Sequence, residues 1–96
     1  MTKTVPEALA ELGKLYAERN AMYGDDYKYH GELMAIWFHK GVILHTAKDF
    51  NRYALFKHIV TKVSRYAANF AAGGHEDSLN DIAVYAQMLQ EVDHES

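Results

Sequence analysis

The chain has 96 residues and carries 10 Lys and Arg against 13 Asp and Glu, for a formal net charge of −3. With 49% hydrophobic and 24% charged residues it reads as one folded helical domain over 1–96, fraying at about 1–4 and 93–96. The lack of cysteine rules out disulfide scaffolds, zinc knuckles and thiol nucleophiles, and the charge argues against nucleic acid as a partner.

No apolar run approaches the roughly 20 residues that a bilayer-spanning helix needs, so no membrane partner is expected. The start lacks a charged-then-apolar leader with a small-residue cleavage site, and a cytoplasmic location is expected. Seven Tyr, four Phe, four Met and one Trp are many large side chains for so short a chain. A single small bundle covers them poorly, so a homodimer is the expected state.

The first helix opens at Thr4-Val5-Pro6-Glu7, with Thr4 as cap, Glu7 reaching back and Pro6 harmless in the first turn. Leu9, Leu12, Leu15, Tyr16, Met22 and Tyr23 follow helical spacing, and Gly24 ends the helix. A second helix runs from about Tyr27 to near Gly41, with Tyr29, Leu33, Ile36 and Trp37 on its apolar side. Gly41 either stops it or allows close packing in a longer helix through Val42-Ile43-Leu44.

The third and longest helix is expected over about Phe50 to Ala71, capped by Asp49 or Thr46, with Phe56, Ile59, Val60, Val63, Ala67 and Phe70 on one face. Gly73-Gly74 breaks the chain. The fourth starts at Asp77 or Ser78 and buries Leu79, Ile82, Ala86, Leu89 and Val92. No strand pattern is present. The fold class is all-α, a compact bundle of about four helices.

Chemistry concentrates around the double glycine. Lys62 and Arg65 are three apart and share a side of the third helix, while Asp77 and Asp81 are four apart on the fourth. Counting outward from the turn brings Arg65 within about a helical turn of Asp81 or Tyr85. Such a grouping suits a phosphorylated ligand: Asp77 and Asp81 offer hard oxygens to magnesium, and Lys62 and Arg65 neutralise phosphates. The start of the fourth helix adds free N–H groups. The plainer alternative is an Arg65–Asp81 ion pair with Asp77 as a cap.

Tyr23-Gly24-Asp25-Asp26-Tyr27 is a second candidate, able to hold a metal at Asp25 or to stack a base between Tyr23 and Tyr27, the plainer alternative being a helix stop followed by a cap and two packed tyrosines. The six histidines contain no i, i+4 pair, so no zinc site is expected. His75, beside Glu76 and Asp77, is the candidate for proton transfer.

The segments from Glu18 to Trp37 and from Lys62 to Leu89 resemble a small helical family of bacteriophage proteins, the nucleotide-modification-associated domain 1 group, and related MazG-like phage proteins. The shared pattern is a Tyr-Gly-Asp turn at Tyr23, Gly24 and Asp25, then Lys62 and Arg65, then Asp77, Ser78, Asp81, Ile82, Ala83 and Tyr85. The resemblance covers about residues 15 to 92. It implies an all-helical, oligomeric, magnesium-dependent nucleoside triphosphate pyrophosphatase, with Tyr23 or Tyr85 on the base. For a phage protein the location becomes the host cytoplasm.

One departure matters. MazG-type enzymes carry a Glu-x-x-Glu helix before a Glu-x-x-Asp helix. Here Lys62 and Arg65 stand in the first and Ser78 with Asp81 in the second. Either Asp25, Asp26 and Glu32 complete the set, or the domain binds nucleotides without cleaving them. A different expectation also fits a small, aromatic-rich chain: a non-enzymatic phage protein that binds and inhibits a host or defence protein.

Overall fold

The computed structural model describes residues 2–95. Its elements are α1 (Val5–Tyr23), α2 (Asp26–Trp37), α3 (Ala47–Ala68), a single 3₁₀ turn at Phe70–Ala72 and α4 (Glu76–Asp93), with no strand among the described residues. The fraying expected of Met1 and Ser96 lies outside those residues. The chain is thus all-helical, four helices packed together. No helix among the described residues is long and apolar enough to cross a membrane.

Local chemistry sets the boundaries. The Thr4 hydroxyl accepts from the Glu7 N–H at 3.3 Å and opens α1, and Gly24 closes it with φ of 67°, a value that favours glycine. The α2 helix stops at Trp37, earlier than expected, and Gly41 (φ 82°) turns the chain so that Val42-Ile43-Leu44 leave the helix. At α3 a reciprocal capping box decides the start. Thr46 Oγ1 accepts from the Asp49 N–H at 3.1 Å, and Asp49 Oδ2 accepts from the N–H groups of His45 and Thr46 at 3.1 and 3.2 Å. Those backbone donors hold the Asp49 carboxyl below its ordinary value of 3.8.

Packing is uneven. The α3–α4 hairpin is closed along most of its length, whereas α1 and α2 touch α3 only lightly. Among the described residues only Val60 of α3 and Ser78 of α4 are fully buried, at 3% and 1% exposure. Charge reinforces the hairpin: α3 supplies Lys48, Arg52, Lys57, Lys62 and Arg65, while α4 has acids and no Lys or Arg. Arg52 meets Asp93 at 2.6 Å and Lys62 meets Asp81 at 2.9 Å across the interface.

Two expected apolar faces are corrected by this geometry. On α4 the half-buried stripe is Ile82, Tyr85, Leu89 and Val92, and Leu79 and Ala86 stay exposed. Val63 and Ala67 of α3 and Phe70 of the 3₁₀ turn are exposed. At the end of α2, Trp37 and Phe38 meet Phe56 edge-on, with ring centres 5.6 and 5.7 Å from that of Phe56.

Candidate functional site

The hairpin register decides which residues face each other. Moving away from the turn, Lys62 stands opposite Asp81, and His58, one turn further, stacks on Tyr85 at 5.1 Å with rings 14° from parallel. By the same register Arg65 lies nearer the tip, level with Ser78, so the expected Arg65–Asp81 pair is replaced by Lys62–Asp81. The turn explains the offset. Gly73 and Gly74 both take positive φ (105° and 103°), and the Gly74 N–H returns to the Asn69 carbonyl at 2.9 Å, so the reversal uses more chain than a minimal turn. A Cβ on Gly74 would come within 3.2 Å of the Tyr66 ring.

Arg65 turns instead towards the α1–α2 connection. Its guanidinium carbon lies 4.6 Å from the centre of the Tyr23 ring, a cation–π arrangement that brings two of the expected ligand-binding residues together. Its Nε is shielded from solvent and has no hydrogen-bond partner among the described residues. Lys62, one turn away, is 17% exposed along its side chain and has Asp81 as its carboxylate. Of the two cations, Lys62 has a paired carboxylate and Arg65 has none among the described residues.

The carboxylates proposed for magnesium stand in different surroundings. Asp25 Oδ1 accepts from Asn20 Nδ2 at 2.6 Å and its Oδ2 pairs with Lys28 at 3.2 Å, contacts that lower its pKa. Asp81 is bound to Lys62, while Asp77 is exposed and makes no hydrogen bond or ion pair among the described residues. No group of three or more His, Asp or Glu among the described residues is placed to hold a metal ion. These residues thus form no preassembled magnesium cage.

Around the Tyr-Gly-Asp turn, Tyr23 and Tyr27 have different partners. Tyr23 lies under Arg65, whereas the Tyr27 hydroxyl is 3.2 Å from that of Tyr16, a hydrogen bond that raises the Tyr16 pKa. His75 is the N-cap of α4, in place of Asp77 or Ser78. Its Nδ1 accepts from the Ser78 N–H at 3.3 Å and lies 2.5 Å from the Ser78 hydroxyl oxygen. Capping occupies Nδ1, so proton transfer from His75 would fall to Nε2.

Sequence reasoning missed the His58–Tyr85 stack and the Arg65–Tyr23 contact. The first was readable from register, since His58 is four before Lys62 and Tyr85 four after Asp81. The second joins residues far apart in sequence and left no local signal. Set against known proteins, the chain matches no family model, no curated protein and no solved structure.

Proposed function

We propose that the protein binds a nucleotide or another phosphorylated small molecule at Lys62 and Arg65, with Tyr23 and Tyr85 flanking the ligand. The observation that carries this reading is Arg65. Its guanidinium carbon lies 4.6 Å from the centre of the Tyr23 ring, and its Nε lacks a hydrogen-bond partner among the described residues. A phosphate oxygen is the acceptor such a fork takes best. Lys62 adds a second positive charge once its bond to Asp81 loosens. The resemblance to nucleotide-handling phage proteins supports the same class of ligand.

Magnesium enters this reading as a counter-ion that arrives with the phosphates, with unpaired Asp77 as its nearest carboxylate candidate. The proposal stops at binding, because Lys62 and Arg65 stand where a pyrophosphatase would carry acids. Ligands of this class belong to the cytoplasm, the host's if the chain is phage-encoded. Calorimetry with nucleoside mono-, di- and triphosphates plus magnesium tests it. Binding that falls about tenfold or more in Arg65→Ala, and that Arg65→Lys fails to restore, is expected. Heat from no nucleotide, or equal heat from wild type and Arg65→Ala, rejects it.

A second reading rests on a separate observation, the apolar surface left bare on α1 and α4. It makes the chain a non-enzymatic binder of a host or defence protein, and predicts one stoichiometric host protein captured equally by wild type and Asp81→Ala.

A further inference from the structure

The chain exposes 7529 Å². A folded monomer of its 10.9 kDa mass exposes about 5,600 Å² by the size scaling of globular proteins. The radius of gyration tells the same story: 17.0 Å, against about 12.5 Å for a compact chain of this length. The excess is about 1,900 Å² per chain, so two copies covering it would remove about 3,800 Å², within the range of obligate homodimers.

The excess has a location. Val5, Leu9, Leu12 and Tyr16 fall on one line of α1 and are 72%, 63%, 57% and 52% exposed. The same line ends at Tyr23, which Arg65 covers. Thus the ridge is covered at its last turn and bare over the turns before it. On α4, no charged residue occurs from Ile82 to Gln90, and the side turned away from α3 is a shallow groove that runs from Ala83, Val84, Gln87 and Met88 to Glu91 and Glu95 at its C-terminal end. The charge-free middle turns of that outward face, with Val84 and Met88 exposed, are poorly suited to water. The bare α1 ridge runs from Val5 to Tyr16, about 18 Å, and the charge-free stretch of α4 from Ile82 to Gln90, about 13 Å, at 1.5 Å per residue.

We infer that a second copy of this chain covers both faces, the α1 ridge of each protomer lying in the α4 groove of its partner about a two-fold axis. One chain holds both the ridge and its receiving groove, so a symmetric pair satisfies four bare faces with one repeated contact. This inference is independent of the phosphate site. It stands or falls on mass and on contact.

Light scattering on the eluted wild-type protein is expected to give twice the chain mass. Leu12→Glu and Val84→Glu, each checked for retained helix content by circular dichroism, are expected to weaken association by about tenfold or more. Because the chain has no cysteine, Leu12→Cys on one preparation and Met88→Cys on another report contact without background. Mixing them under oxidation is expected to yield a crosslinked pair, even if a glutamate variant fails to fold. A mass of one chain, association indifferent to both glutamates in folded variants, or no crosslink in the mixture overturns the inference.

Discussion

The α3–α4 hairpin and the α1–α2 arm are each a pair of helices joined by a short connection, yet they hold themselves together in different ways. In the hairpin, apolar stripes from both helices meet, Val60 and Ser78 are sealed between them, and opposite charges pair across the seam. In the arm, α1 has an equally regular apolar line but almost nothing within its own chain to press it against. Helical patterning therefore predicts that a face will be buried without saying by what. The hairpin answers from within, and the arm needs another surface.

The largest expected effect separates the two regions. Val60→Ala removes two methyl groups from the sealed seam and should cost about 2 kcal/mol at any protein concentration. Leu9→Ala in the arm should cost less than about 0.5 kcal/mol in dilute solution, with the deficit growing as concentration rises. Chemical denaturation of both variants at two concentrations checks this. Equal, concentration-independent losses would erase the distinction between the regions.

Next in size is the α3 cap, where Thr46→Ala should lower stability by about 1 kcal/mol. Asp49 gives the same cap a pH dependence. Its folded pKa lies below the ordinary 3.8, so its contribution is full above that value and is lost as pH falls through the lowered one. Melting curves should accordingly show the wild type losing ground to Asp49→Asn below about pH 4 and holding its advantage above it. An advantage that persists under acid would show that the carboxylate is not what holds the cap.

The smallest effect is expected at the Lys62–Asp81 pair, partly open to water: Lys62→Met should change stability by less than about 1 kcal/mol. If Lys62 serves a ligand, the same substitution should weaken nucleotide binding well beyond its effect on folding. Comparing the calorimetric and melting shifts of that one variant separates the two roles.

Much of the fold was legible in the sequence because its signals are local. Thr4, Thr46 and Gly24 mark helix ends through groups only a few residues away, and the double glycine announces the reversal. The site was half legible. Lys62, Arg65 and Asp81 stand out as candidates from their spacing, but their pairing depends on how much chain the turn consumes, and a 3₁₀ turn plus two positive-φ glycines shifted the partner of Asp81 from Arg65 to Lys62. His75 was read as a proton carrier because capping is usually sought among Ser, Thr, Asp and Asn, whereas here an imidazole nitrogen accepts the Ser78 N–H. The bareness of Leu9 and Leu12 could not be read at all. Spacing gives the direction of a face and carries no information about its neighbour.

Hydrogen exchange resolved by helix, followed over a dilution series, tests the contrast most directly. Amides of α3 and α4 should exchange slowly at every concentration, while those of α1 should be quick in dilute solution and slow down as the protein is concentrated. An α1 as slow as α3, unchanged by dilution, would mean the arm is stabilised within its own chain and would contradict the account.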